Sequence, residues 1–205
     1  SLIISLSTTA LAVLVGVFTA YALARLDFPG KGIITGIILA ASMFPGIALV
    51  TPLFQLFGDL NWIGTYRAMI IPNISFALPL TVYTLVSFFQ QLPWELEEAA
   101  RVDGATRGQA FRLILLPLAA PAIFTTAIIA FITTWNEFML ARQLSTNATE
   151  PVTVAIARFS GPSAFEFPYA AIMAAGSLVT IPLIIMVLVF QRRIVSGLTA
   201  GGVKG

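Results

Sequence analysis

No cysteine and no histidine occur in the 205 residues of this chain, and only 10% of the residues are charged. The two absences remove disulfides, thiol nucleophiles, histidine-ligated haem and the ordinary zinc ligand sets. They also remove the Ser–His dyad that an intramembrane serine protease needs. The scarcity of charge is as informative. A soluble domain is roughly half apolar and about a quarter charged, whereas this chain is 58% hydrophobic with a mean hydropathy of +0.95. That composition places it in a membrane, with room for several spans of roughly 20 apolar residues each. Eleven Lys and Arg against nine Asp and Glu leave a net charge of +2, so the positions of the charges matter more than their sum.

Hydropathy predicts an all-α polytopic protein with about five spans. They run from about Leu2 to Ala24, Ile33 to Phe57, Tyr66 to Phe89, Leu118 to Leu140 and Tyr169 to Phe190. Pro45 and Pro52 fall inside the second, and Pro72 and Pro79 inside the third. Internal prolines remove backbone donors and kink helices, so these spans line a cavity, bend on moving, or pack irregularly. Gly32 and Gly36 form a small-xxx-small pair, the pattern of a close helix contact.

Sorted onto alternating sides, the cations divide unevenly. One side holds Arg25, Lys31, Arg101, Arg107, Arg112, Arg192, Arg193 and Lys204; the other holds Arg67, Arg142 and Arg158. Positive residues favour the cytoplasmic side, so the loop around Glu98 and the C-terminus are expected in the cytoplasm and the first span begins outside. Apolar sequence starts at once after Ser1, with no basic n-region of a signal peptide. A further helix upstream, expected on this reading, would complete six spans with both termini inside.

Most of the charge gathers between the third and fourth spans, over residues 90–116. Pro93 suits the first turn of a helix, and Glu95, Glu97 and Glu98 after it suit the helix dipole. Glu97 and Arg101 are spaced for an i,i+4 pair. Ala99 and Ala100 offer a smooth surface that another backbone could approach. Gly104 ends this helix, and Thr106 is placed to cap a second one carrying Arg107 and Arg112 outward, before Pro117 opens the next span. The expected product is a helix–turn–helix lying against the membrane face. Charge alone fits a solvated interfacial loop equally well.

The spacing adds more. Glu98-Ala99-Ala100, three residues, Gly104, nine residues and Ile114-Leu115-Leu116-Pro117 resemble the coupling loop of binding-protein-dependent ABC import permeases. The resemblance implies a type I importer transmembrane domain with six family spans, of which about five are present here. It implies that this loop sits in a groove of an ATP-hydrolysing subunit, with Glu98, Ala99, Ala100, Asp103, Gly104 and Arg107 at the contact. Glu98 would pair with a basic group there, and Gly104 would permit the sharp turn. Arg101-Val102-Asp103-Gly104-Ala105, Trp135-Asn136-Glu137-Phe138 and the ending Leu198-Thr199-Ala200-Gly201-Gly202-Val203-Lys204-Gly205 are similar to maltose/trehalose permeases of the second-subunit type. From this follow the expected partners: a homologous second permease in a heterodimer, two ATP-binding subunits and an extracytoplasmic solute-binding protein. The expected cargo is a di- or oligosaccharide, in a multi-pass protein of a bacterial or archaeal cytoplasmic membrane.

Three other segments carry expectations. Trp135, Asn136 and Glu137 lie near the outer end of the fourth span. An ionisable group there marks a functional site by default, and the resemblance puts these residues near the sugar path. Equally, Trp135 could be an interfacial anchor and Glu137 could snorkel outward or pair with Arg142. Residues 142–167 form the longest polar stretch outside, either an ordinary loop or, as in maltose-type permeases, a reach toward the binding protein through Asn147, Gly161, Pro162 and Ser163. Residues 191–205 are a stop-transfer cluster with a loose end or, by the resemblance, a tail touching the ATPase pair through Gly201, Val203 and Lys204. The glycine-rich end lacks the Gly-Lys-Ser/Thr of a P-loop, so no cofactor is expected in this chain and ATP with Mg would be bound by partner subunits. The dispersed cations suggest no nucleic-acid surface. An ion-driven secondary transporter would favour buried midplane carboxylates and inverted repeats, which the chain lacks apart from Glu137.

Overall fold

The computed structural model describes residues 1–159 and 168–200, with side chains as far as residue 190. Among the described residues all regular structure is helical. The centre is three helices: α1 (Leu2–Arg25), α4 (Tyr66–Gln91) and α7 (Leu116–Trp135). Between α1 and α4 lie α2 (Lys31–Ser42) and α3 (Val50–Asp59). Short helices α5 (Glu95–Val102) and α6 (Arg107–Ala110) follow α4, and α8 (Met139–Leu144), α9 (Val152–Ala157) and α10 (Tyr169–Ala200) follow α7.

Small residues let the central helices approach, since association in lipid depends on close packing rather than on burial from water. Ala12, Gly16, Ala20 and Ala24 stand at helical spacing on α1, and all are buried. A Cβ on Gly16 would lie 2.5 Å from Thr81 Cγ2, so α1 and α4 touch backbone to side chain there. Within this chain the expected contact at Gly32 and Gly36 is not made, because a Cβ on either would meet no other group within 4 Å. Thr81, Thr126 and Thr134 are buried between helices, each donating its hydroxyl to the carbonyl four residues back. These three threonines thus enter the bundle with their hydroxyls paired, whereas those of Ser5 and Thr8 on α1 are buried without a partner.

Both ends of the bundle are tied. At one, called here the basic end, Val17, Ala20, Ala24, Leu85, Phe89, Phe111 and Leu115 form a core. At the far end, Ile4, Phe57, Met69, Leu140, Leu144 and Val154 form another. There the Ser1 hydroxyl accepts from Val152 N–H, and Gly64 N–H donates to Leu144 C=O at 2.8 Å.

Among the described residues, four helices are long and apolar enough to cross a membrane: α1, α4, the continuous rod Arg107–Trp135, and Tyr169–Phe190. The second expected span differs. It is a pair, α2 and then Gly46–Asp59, bent by 88°, and it counts as a fifth span only if that pair is one. Pro45 supplies no N–H and disfavours helix at the residue before it; its own backbone is extended (ψ 114). Pro72 and Pro79 carry the same defect, yet α4 runs through both, because each is buried against neighbouring helices.

The fourth span also departs from expectation. It does not begin afresh at Pro117. A π turn (Phe111–Leu115) joins α6 to α7, with Leu116 N–H donating to Phe111 C=O. The wide turn lies just ahead of Pro117, whose ring crowds the carbonyl of a regular helical turn. The rod ends at Trp135 rather than Leu140, and after the break at residues 136–138 a new helix, α8, starts at Met139.

Candidate functional site: the charged hairpin

Helix α5 starts at Glu95 with Trp94 as its N-cap residue, so Pro93 stands just outside the helix rather than in its first turn. Glu95, Glu97 and Glu98 occupy that turn, next to the positive end of the helix dipole. The helix closes in a Schellman motif: Ala105 N–H donates to Ala100 C=O and Gly104 N–H to Arg101 C=O. Gly104 has φ +86, a conformation that costs an L-residue about 1–2 kcal/mol. The second arm opens on a capping box, with Gln109 N–H donating to Thr106 Oγ1 and Thr106 N–H to Gln109 Oε1.

Around the turn, side chains divide sharply. Glu98, Ala99, Arg101, Val102, Asp103, Gly104 and Arg107 are exposed, and Val102, an apolar residue, is 87% exposed. Ala100 is turned under the hairpin at 5% exposure, so Ala99 alone presents the smooth small surface expected of the pair. Glu97 is turned inward too, at 7% exposure. The expected pair with Arg101 is not formed; instead Glu97 Oε1 accepts from Tyr21 Oη at 3.1 Å. The cause is geometric: the first turn of α5 comes within hydrogen-bond reach of the end of α1, and its inward face meets Tyr21 there.

Arg25, the last residue of α1, completes this buried junction. It is 5% exposed, donates from Nη2 to Leu92 C=O at 2.6 Å, and lays its guanidinium 4.4 Å from the centre of the Trp94 ring. The Tyr21 ring sits 4.4 Å from that of Phe111 and 6.2 Å from that of Phe89.

At the far end, Trp135 is buried and stacked on Phe131 at 5.6 Å. Asn136 is exposed, and its amide donates to Ile132 C=O. Glu137 caps α8: Oε1 accepts from Leu140 N–H at 2.8 Å and Oε2 from Ala141 N–H at 2.9 Å. Arg142 lies over the Phe138 ring at 6.0 Å instead of pairing with Glu137. Asn147 stands exposed in the turn between Thr146 and Thr149. Gly161, Pro162 and Ser163, and likewise Gly201, Val203 and Lys204, lie outside the described residues. Among the described residues no group of acids is placed to hold a metal ion.

Residues 12–199 match the family described as binding-protein-dependent transport system inner membrane component. The chain belongs to that family. It is 52% identical over 203 residues to the trehalose transport system permease protein SugB of Mycobacterium tuberculosis, covering 98% of this chain and 74% of that one. It is 45% identical to the trehalose/maltose transport system permease protein MalG of Thermococcus litoralis, over 100% of this chain and 74% of that protein. Among solved structures, a bacterial ABC transporter that imports alginate aligns with a TM-score of 0.68 at 24% identity, over 90% of this chain and 72% of that one. The MetNI methionine ABC transporter aligns with a TM-score of 0.65 at 19% identity, over 96% and 95%. At those identities the two structures establish the fold alone, that of an importer transmembrane domain.

This permease is therefore a multi-pass inner-membrane transport component. Sequence reasoning singled out the outward face of its hairpin and missed the inward one. Tyr21 and Arg25 read as the end of an apolar span and its stop signal. Their i,i+4 spacing, which puts a hydroxyl and a guanidinium on one face of α1, was the available clue.

Proposed function

We propose that this permease is the translocation subunit of an ATP-driven importer for a trehalose- or maltose-like sugar, working by alternating access. The observation that carries the coupling role is the hairpin Glu95–Ala110: an acidic helix, a left-handed glycine turn and a capped second arm continuous with a span. Its tip exposes Val102 beside Glu98, Asp103 and Arg107. An apolar knob ringed by charges suits a groove on another protein better than it suits water. Because the second arm runs unbroken into α7, rotation of a docked subunit tilts a membrane helix directly.

Glu98, Ala99, Asp103, Gly104 and Arg107 then form the face toward an ATP-binding subunit, with Ala100 packing beneath them. Nucleotide and Mg are bound by two such subunits, and this chain contributes no nucleotide site. A homologous second permease completes the pathway, and a solute-binding protein delivers sugar to the far end near Asn147 and residues 161–163. The tail residues Gly201, Val203 and Lys204 add to the ATPase contact. The sugar class rests on the permease relatives from Mycobacterium tuberculosis and Thermococcus litoralis. Glu137, with both oxygens taken up by backbone N–H groups, makes a poor ion-coupling carboxylate, which weighs against a gradient-driven transporter.

The test is purification of the assembled transporter and measurement of ATP hydrolysis with its binding protein loaded with trehalose, maltose or an unrelated solute. Stimulation by one of the disaccharides is expected. Hydrolysis indifferent to every loaded sugar, or uptake that persists without ATP, contradicts the proposal.

A further inference from the structure

The hairpin is joined by the chain to α4 and α7, but to α1 only through side chains. We propose that Tyr21, Arg25 and Glu97 form a latch that makes α1 and the hairpin one moving body, so that motion of the docked hairpin enters the membrane through α1 as well as α7. This rests on the coupling role given to the hairpin above.

Three contacts define the latch, and each reaches a different piece of the junction. Tyr21 Oη donates to Glu97 Oε1 on α5. Arg25 Nη2 donates to Leu92 C=O, where the chain leaves α4. The Arg25 guanidinium stacks on Trp94, the N-cap residue of α5. Beneath them, the Tyr21 ring lies on Phe111, in the π turn that links the hairpin to α7. One turn of α1 thus grips the first arm of the hairpin and both of its roots.

The chemistry is the telling part. An apolar contact would fill this junction without unpaired atoms, but it could slide. Here Glu97 Oε2 and Arg25 Nε and Nη1 are buried without a partner, an arrangement that leaves stability unclaimed. What it supplies is direction: hydrogen bonds and a stacked guanidinium fit one register only. α1 in turn meets α4 at Gly16, where no side chain intervenes before Thr81. A shift of the hairpin is therefore carried along α1 to its close contact with α4 at Gly16.

The test uses the whole transporter in liposomes, with its second permease, ATP-binding subunits and binding protein. An Ala99→Cys cross-link to the ATP-binding subunit first reports whether the hairpin docks. With docking intact, Tyr21→Phe and Glu97→Leu are expected to lower the sugar carried per ATP hydrolysed by about fivefold or more, while hydrolysis continues. Glu97→Gln, which keeps an oxygen for Tyr21, should hold that ratio within about twofold. A role confined to folding would lower yield and leave the ratio unchanged. The absence of native cysteine allows a second arm that does not depend on losing a contact. In Tyr21→Cys/Glu97→Cys, joined by a short bis-methanethiosulfonate that forms a disulfide with each thiol by displacing sulfinate and is cleaved by a reductant, uptake should persist. Uptake blocked by the link and restored on cleaving it means that α1 and the hairpin must part, and overturns the latch. A docked hairpin with unaltered ratios in Tyr21→Phe and Glu97→Leu overturns it as well. A hairpin that never cross-links to the ATP-binding subunit instead sinks the coupling role on which the latch stands.

Discussion

Two glutamates, one at each end of the bundle, are handled in opposite ways. Glu137 at the far end has both carboxylate oxygens paired with consecutive backbone N–H groups of α8. Glu97 at the basic end is more deeply buried, yet it receives one hydrogen bond and leaves Oε2 unmatched. The first is a finished local cap that asks nothing of distant helices. The second is intelligible only through α1, which contributes its partner from 76 positions away. A self-contained cap builds a rigid rim, whereas a cross-element bond ties together pieces that must move in concert. Under the coupling role proposed above, the far end is architecture and the basic end transmission.

The sharpest way to break that assignment is at the hairpin turn. Gly104→Pro cannot keep φ +86 and removes the N–H that closes the Schellman motif. Glu98→Lys reverses the charge on the exposed face. Both variants should insert and assemble, yet lose uptake by on the order of tenfold or more, an effect of about 1.4 kcal/mol in coupling. Ordinary uptake by either would leave the basic end with no transmitting role. Glu137→Ala should act on stability instead. Losing two charge-assisted caps is expected to cost about 1–3 kcal/mol, seen as a lower unfolding midpoint in detergent with sugar carried per ATP unchanged. Thr106→Ala removes half of the capping box and should cost about 1 kcal/mol by the same measurement. The smallest effect is expected from Arg142→Ala, an exposed cation 6.0 Å from the Phe138 ring, worth about 0.5 kcal/mol. A large loss of uptake in that variant would move function back to the far end.

The periphery sharpens the same point. The apolar window of α10 is wholly unburied, whereas 44% of the corresponding window of α4 is buried. α10 leans on α7 where Phe190 stacks on Phe124 at 6.2 Å. Its remaining apolar surface is of the kind that lipid or another membrane subunit covers.

Much of this was legible from residue order alone. Long apolar runs must satisfy their own backbone in lipid, so composition and length sufficed to announce α1, α4, α7 and α10. Caps and glycine turns are local: Thr106 with Gln109, and Gly104 after α5, needed only neighbours within a few positions, and the chain supplied them. The exposed face of the hairpin was readable for the same reason.

What escaped was set by distance along the chain. Pro45 breaks its span and Pro72 does not, although the two are chemically the same, because only packing decides whether a missing N–H is tolerated. Glu97 looked like a partner for Arg101 because i,i+4 spacing is a local rule, and it was α1 arriving alongside that turned its carboxylate inward to Tyr21. Short-range backbone geometry is written residue by residue, while the choice between two available partners waits until the helices have assembled and one of them has been withdrawn from solvent.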